Sequence, residues 1–137
     1  MPEPSRGTII ISGFAGTGST TVSQLVANHF GLEYVYAGGI FRKMAADAGM
    51  GIDDFHISLK DDPDGERRID DRLLARARQG KVVVESRTLP WLLTDFPAYK
   101  AWLTCEPRER ARRIGEGRGA LEEARRAEER ITVEQDR

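Results

Sequence analysis

Residues 13–20 contain almost all of a phosphate-binding loop. The full pattern is a glycine, four residues, a second glycine, a lysine and then a serine or threonine. Gly13, Gly18 and Thr20 match it, but Ser19 occupies the lysine position. In such loops, backbone N–H groups surround phosphate oxygens, and the N-terminus of the following helix favours negative charge. The predicted ligand is therefore a nucleotide polyphosphate.

The chemistry expected of this loop depends on its hydroxyl side chains. Thr20 is the predicted Mg²⁺ ligand, and Thr21 adds a phosphate contact. Ser19 supplies a hydrogen bond but no charge, so either arginines elsewhere replace the lysine or the protein binds nucleotide without catalysis. The alternative is a tight turn that binds nothing. The predicted nucleotide-binding residues are Gly13, Phe14, Ala15, Gly16, Thr17, Gly18, Ser19, Thr20 and Thr21.

The loop lies between a predicted strand and a predicted helix, as the motif requires. Short apolar strands are predicted at residues 8–12, 33–36, 81–85 and 99–105, with helices after the first and second strands and a helix starting at Pro107. This alternation predicts an α/β fold, a P-loop three-layer sandwich with a parallel sheet flanked by helices. Only four strands are counted and the last helix has no stop signal, so we expect a C-terminal strand and helix to be missing. Trp91 and Trp102 are predicted to lie in the core.

Composition narrows the class of protein. The chain has 137 residues, enough for one domain, and a formal net charge of -1, which gives no bulk attraction to nucleic acid or anionic membranes. Arginine outnumbers lysine, which suits bidentate phosphate binding. A single cysteine, Cys105, excludes an internal disulfide. No signal sequence is visible and no apolar run approaches the roughly 20 residues that span a bilayer. We expect a cytoplasmic monomer.

Five short segments carry further information through their order and spacing: residues 10–13 (Ile-Ile-Ser-Gly), 37–42 (Ala-Gly-Gly-Ile-Phe-Arg), 55–56 (Phe-His), 84–87 (Val-Glu-Ser-Arg) and 111–114 (Ala-Arg-Arg-Ile). Together they resemble the short archaeal-type cytidylate kinases of the nucleoside monophosphate kinase family. The resemblance covers nearly the whole chain. It implies one P-loop kinase-like domain over residues 1–137, with a small helical acceptor-binding region around 38–80 and a lid around 113–120. It also implies ATP as donor, Mg²⁺ as cofactor and CMP or dCMP as acceptor.

The same resemblance assigns roles to individual residues outside the loop. It gives acceptor binding to Ala37, Arg42, Arg87, Arg130, Glu134 and Arg137, and closure over the transferring phosphate to the catalytic residues Arg113 and Arg118. The alternative for the late arginines is a solvated helix held by Glu–Arg pairs. Glu85 either orients Mg²⁺-bound water or pairs with a neighbouring arginine, and His56 receives no role.

The sequence therefore favours ATP-dependent phosphorylation of a pyrimidine nucleoside monophosphate. Two alternatives stay open. One is a catalytically inactive nucleotide-binding module derived from a truncated kinase, and the other is a related small-molecule kinase of the same fold.

Overall fold

A computed structural model describes residues 3–4 and 6–118 of the chain, with the backbone alone at 116–118. The strands are β1 (Thr8–Gly13), β2 (Glu33–Tyr36), β3 (Val82–Glu85) and β4 (Tyr99–Leu103). The helices are α1 (Ser19–Phe30), α2 (Ala37–Asp47), α3 (Ile52–Lys60), α4 (Gly65–Ala77), α5 (Leu89–Leu92) and α6 (Pro107–Arg118).

The four strands form one sheet in the order β2-β3-β1-β4, and every pair is parallel. β1 lies inside the sheet and is buried along its whole length. Its run of β-branched residues suits a strand that is covered on both faces. The predicted α/β fold with a parallel sheet is confirmed.

Alternate residues of the strands face two separate apolar clusters, as the two-residue period of a strand requires. On one face, Ile9, Ile11 and Val83 pack with Ala27 of α1. On the other face, the buried residues come from the sheet, from α4 and from the segment around α5: Ile10, Val35, Leu73, Ala77, Val82, Val84, Leu89 and Leu93. Helices therefore cover both faces of the sheet, which gives the predicted three layers.

Helices α2, α3 and α4 have a small apolar cluster of their own. Met44, Ala45 and Phe55 are buried there, with Ile69 of α4 packed against them. These helices lie within residues 38–80, the predicted acceptor-binding region. The cluster explains how a helical unit beside the sheet can hold its shape, and its binding role stays a prediction.

The prediction that both tryptophans lie in the core is wrong. Trp91 is 74% exposed and Trp102 is 41% exposed. In the segment around α5, Leu89 and Leu93 point into the core, so Trp91 between them faces outward. Trp102 lies on β4, which is the last strand at its end of the described sheet.

The predicted lid lies at the limit of the described residues. α6 continues as a helix through Gly115 to Arg118. The side chain of Arg118 and residues 119–120 lie outside the described residues, so a lid at 113–120 stays a prediction. Within the part of the chain that the structure describes, no helix has the length and apolar character needed to cross a bilayer.

Candidate nucleotide-binding site

A cleft of about 470 Å³ opens at the carboxyl ends of β1 and β3. The two strands pair in parallel with Ile11 opposite Glu85, so the loop after β1 and the end of β3 meet at one edge of the sheet. Ligands of open α/β sheets bind at this edge. The residues that line the cleft are Ser12, Gly13, Phe14, Ala15, Gly16, Gly18, Ser19, Thr20, Thr21, Tyr36, Ala37, Gly38, Glu85, Ser86 and Arg87.

The loop turns into α1 through two glycines with left-handed backbone. Gly16 has φ +82° and Gly18 has φ +87°. Gly18 is the N-cap of α1, and neither a capping side chain nor an acidic residue occupies the first turn. The first N–H groups of a helix have no partner within the helix. They therefore remain available to an anion, with the positive end of the helix dipole behind them.

Gly16 is also required by its contact with α6. A β-carbon placed there would lie 2.7 Å from the carbonyl oxygen of Arg110. Thr17, by contrast, is predicted to bind nucleotide but does not line the cleft. Its hydroxyl donates to the carbonyl of Phe14 at 2.8 Å, and its side chain lines a smaller cavity of about 190 Å³ with Trp102. Thr17 therefore stabilises the conformation of the loop from the side that faces away from the cleft.

The carboxylate of Glu85 is the centre of a hydroxyl network at the loop. Ser19 Oγ donates to Oε2 at 2.7 Å, and Thr20 Oγ1 lies 2.9 Å from Oε2 and 3.1 Å from Oε1. The hydroxyl of Tyr34 donates to Oε1 at 2.5 Å. The donors described for this carboxylate are all hydroxyls, and the role of Glu85 stays a prediction.

Burial and the neighbouring Glu85 carboxylate set the protonation of Tyr34. Desolvation first, and then the hydrogen bond to Glu85, raise the pKa of Tyr34 well above its usual value. The phenol is a hydrogen-bond donor at neutral pH, as an ordinary tyrosine also is, and the raised pKa extends its protonated range to more alkaline pH.

Thr20 and Glu85 form an oxygen donor set that fits Mg²⁺. Magnesium is usually bound through one or two carboxylates together with water and substrate phosphates, and only rarely by a cage of protein ligands. Separately, the described residues contain no group of three or more histidine, cysteine or acidic side chains placed to hold a metal. One hydroxyl and one carboxylate beside a phosphate-binding loop are what such an ion needs from the protein.

Opposite the loop, β2 and the start of α2 form the other wall of the cleft. The predicted acceptor residues Ala37 and Arg87 both line it, together with Tyr36 and Gly38. Arg42 does not line the cleft. Its guanidinium donates to the hydroxyl of Tyr36, and its central carbon lies 5.5 Å from the centroid of that ring. Arg42 therefore contacts Tyr36, which lines the cleft, but does not line the cleft itself.

Arg113 lies on the outer side of the loop. Its Nη1 donates to the carbonyl of Gly16 at 3.3 Å, and its Nε donates to Glu109 at 3.1 Å. Hydrogen bonds from Arg112 and Arg113 lower the pKa of Glu109 to about 2. The structure thus brings Arg113 to the loop but not into the cleft. The other late residues of the predicted site, Arg118 by its side chain and Arg130, Glu134 and Arg137 entirely, lie outside the described residues.

Tyr34 and Tyr36, which the sequence did not predict as site residues, both lie on β2. The two rings stack with centroids 5.0 Å apart and planes 10° from parallel. The sequence did contain a signal for them. The two tyrosines are two residues apart, so they share a face of β2, and this strand ends beside a glycine turn. Aromatic residues are common in strands for packing alone, so the pattern does not distinguish a site from a core.

Comparison with known proteins defines the class first. Residues 9–134 match the profile of a family described as AAA domain. A shikimate kinase from Bacteroides thetaiotaomicron superposes with a TM-score of 0.68 at 13% identity, covering 93% of this chain and 75% of that one. An uncharacterized protein from Eubacterium ventriosum gives 0.68 at 16% identity, covering 96% and 72%. The profile match places the chain in the AAA domain family, and the two superpositions show a shared fold.

Curated sequences narrow this to a family. A cytidylate kinase from Pyrococcus horikoshii is 40% identical over 125 residues, which are 90% of this chain and 64% of the relative. One from Thermococcus kodakarensis is 38% identical over 85% of this chain and 60% of the relative. One from Ignicoccus hospitalis is 36% identical over 85% and 68%. The chain belongs to the archaeal cytidylate kinase family, and it spans about two thirds or less of the length of these relatives.

Proposed function

We propose that this protein transfers the γ-phosphate of ATP to a pyrimidine nucleoside monophosphate, CMP or dCMP. The observation that carries the proposal is the pairing of Thr20 and Glu85, within 3.1 Å of each other, at the mouth of a glycine loop. Relatives named cytidylate kinase support the choice of acceptor. We further propose that the protein acts in the cytoplasm and as a monomer.

On the donor side, the loop from Gly13 to Thr21 binds the triphosphate. The N–H groups that start α1 donate to phosphate oxygens, and Ser19 adds its hydroxyl. Thr20 and Glu85 would hold Mg²⁺, which when bound neutralises charge on the phosphate oxygens.

On the acceptor side, Arg87 binds the phosphate of the monophosphate, and Ala37 with Gly38 leaves room for the nucleotide. Arg42 fixes Tyr36 in the wall or reaches the phosphate once the acceptor is bound. An acceptor phosphate oxygen attacks the γ-phosphorus in line; the new P–O bond forms as the bond to the β–γ bridging oxygen breaks, and ADP leaves. The work of the protein is positioning and charge stabilisation.

This reaction needs no general base from the protein. The second pKa of a phosphate monoester is about 6, so the attacking oxygen is ionised at neutral pH. Glu85 is the one carboxylate among the described residues that line the cleft, and three hydroxyls already donate to it. That arrangement suits a metal-orienting carboxylate better than a proton acceptor.

Arginines take the place of the absent lysine in this proposal. Arg87 is in the cleft and Arg113 is at the loop. Arg113 and Arg118 close over the transferring phosphate, and Arg130, Glu134 and Arg137 contact the acceptor, as the family resemblance implies.

The direct test is a phosphoryl-transfer assay with ATP, Mg²⁺ and a panel of monophosphates: CMP, dCMP, UMP, dTMP, AMP and GMP. We expect ADP to form fastest with CMP or dCMP and not at all when EDTA replaces Mg²⁺. The assay is run on this chain and on any longer product of the same gene. Equal rates across the panel would argue against pyrimidine selectivity, and no turnover with any acceptor in either form would end the kinase proposal.

Ser19 favours one second candidate, a nucleotide-binding module without catalytic activity. The loop cleft would be retained in that case, because its amides do not depend on the lysine. The two candidates differ in their expected response to a lysine restored at position 19.

A further inference from the structure

We propose that Tyr34 is a positioning residue that holds the Glu85 carboxylate in place for binding of the metal–nucleotide complex. The inference rests on the proposed nucleotide site and adds a residue from β2, outside the loop. Tyr34 does not line the cleft. Its hydroxyl therefore acts on a ligand through its hydrogen-bond partner Glu85, and Tyr34→Phe removes that hydroxyl while leaving the ring that stacks on Tyr36.

The distribution of hydrogen bonds over the two carboxylate oxygens supports this role. Oε2 accepts from Ser19 at 2.7 Å, whereas Oε1 accepts from Tyr34 at 2.5 Å and, at the longer distance of 3.1 Å, from Thr20. When the Thr20 hydroxyl turns to a metal, Oε2 keeps Ser19 and Oε1 keeps Tyr34. Without Tyr34, Oε1 would have no remaining donor among these three hydroxyls, and the carboxylate would be held at one end alone.

Tyr34 is itself held rigidly enough to orient a partner. Its ring packs against the apolar cluster formed by β1, β3 and α1. On another side the ring stacks on Tyr36, with the two centroids 5.0 Å apart. A side chain fixed by packing on one side and stacking on the other leaves its hydroxyl little freedom, which is the condition for a supporting hydrogen bond to orient a metal site.

Removing the hydroxyl should therefore weaken metal-dependent binding selectively. Loss of a partner of this kind typically lowers metal affinity or activity by about 10–100-fold. Because Ser19 still supports Oε2 of the carboxylate, we expect the low end, a shift of about tenfold. Nucleotide binding without metal should not change, because the loop amides and α1 are untouched.

The experiment compares Tyr34→Phe with wild type and with Tyr99→Phe. Tyr99 is an exposed tyrosine on β4, at the opposite edge of the described sheet from β2. Binding of the ATP analogue AMP-PNP is measured by calorimetry in EDTA and across a Mg²⁺ titration, at a temperature where melting curves show each variant folded. The expected result is a midpoint for Mg²⁺ raised about tenfold in Tyr34→Phe alone, with equal affinities in EDTA.

A second variant tests whether Tyr34 acts through Glu85. In a Glu85→Gln background, adding Tyr34→Phe should change the Mg²⁺ dependence little, since the interacting partner is already altered. Three results would overturn the proposal: a Tyr34→Phe midpoint equal to that of wild type, an equal loss of affinity with and without metal, or the full shift persisting in the Glu85→Gln background.

These measurements read binding and not turnover, so they are separable from the kinase proposal. A failed acceptor assay together with a shifted Mg²⁺ midpoint would leave the role of Tyr34 in place on a non-catalytic module. A successful acceptor assay with an unshifted Mg²⁺ midpoint would overturn the proposed role of Tyr34 and support the kinase proposal.

Discussion

Ser19 stands where the loop pattern has lysine, and its hydroxyl donates to Glu85 at 2.7 Å. A lysine at this position would place an ammonium group beside the same carboxylate. The ammonium would attract Glu85, and the carboxylate would then be less available to a metal. A serine at position 19 thus hydrogen-bonds Glu85 without neutralising its charge, which leaves the carboxylate available to a metal.

Restoring the lysine should accordingly not improve the protein. We expect Ser19→Lys to lower turnover with CMP and to raise the Mg²⁺ concentration needed for half-maximal rate. Steady-state kinetics over a Mg²⁺ series measures both quantities, with Ser19→Ala as the control that removes the hydroxyl without adding charge. A gain of activity in Ser19→Lys from an inactive wild type would instead identify a degenerate binding module.

Arg113 and its neighbour Arg112 offer a matched pair for testing the arginine contribution. Both donate to Glu109, but Arg113 also donates to the Gly16 carbonyl of the loop. We expect Arg113→Ala to lower kcat by about 10²-fold or more with nucleotide affinity nearly kept, as loss of a transition-state charge contact does. Arg112→Ala is the comparison variant that also removes an arginine partner of Glu109. Equal losses of kcat and of affinity in Arg113→Ala would mean that the guanidinium only supports the loop.

Single residues were predictable where a motif fixes both type and position. Thr20 could be placed at the site because the pattern specifies a hydroxyl there, and the cleft contains it. Glu85 could only be narrowed to two roles, because sequence does not give the strand order that puts β3 beside β1. Tyr34 was not predictable, since its role depends on a hydroxyl reaching across from β2 to the end of β3.

At the scale of elements, α6 is fitted against the loop. The backbone of Arg110 lies so close to Gly16 that no side chain can occupy that position. In the same helix, Glu109 accepts hydrogen bonds from Arg112 and Arg113. These arginines are three and four residues further on, which is the spacing at which helical side chains meet. The helix thus directs Arg113 toward the loop through a local ion pair.

This ion pair gives a pH dependence with a defined sign. The pKa of Glu109 is lowered from 4.5 to about 2 by its arginine partners. A carboxyl group whose pKa is lower in the folded state stabilises the fold above its unfolded pKa, and that contribution disappears as pH falls toward the folded value. We expect the melting temperature of Glu109→Gln to be slightly lower than that of wild type, by a constant amount above about pH 5. This difference in melting temperature should vanish near pH 2.

Melting temperatures followed by circular dichroism between pH 2 and 7 check this dependence. Glu66→Gln, in the first turn of α4, is the control that removes an acid elsewhere. A difference between wild type and Glu109→Gln that stayed constant down to pH 2 would mean that the ion pair does not contribute.

Elements with strong apolar patterns were predictable, and weakly patterned ones were not. The strands at β1 and β3 follow from continuous β-branched runs, and α1 from its apolar spacing and its closing Gly31. The four-residue helix α5 was missed, because a single turn leaves no periodicity to detect. β4 was predicted from the same apolar character, but its exposure depends on its place at the edge of the described sheet.

At the scale of the whole molecule, the class of fold was predictable because strand and helix patterns alternate along the chain. The order β2-β3-β1-β4 was not, although it decides which carboxylate meets the loop. Apolar patterning says that a strand is buried but not which neighbour it pairs with.

The contact between β4 and the loop has a practical consequence. The ring of Phe14, within the loop, meets the indole of Trp102 edge to face at 5.4 Å, and this indole is partly open to water. The fluorescence of an indole depends on neighbouring aromatic rings and on its exposure to water. A ligand that shifts Phe14 should therefore change the emission wavelength and the intensity of Trp102 fluorescence. Trp91, far more exposed on α5, contributes a steady background that Trp91→Phe would remove. The unlabelled protein thus has its own optical reporter for loop occupancy.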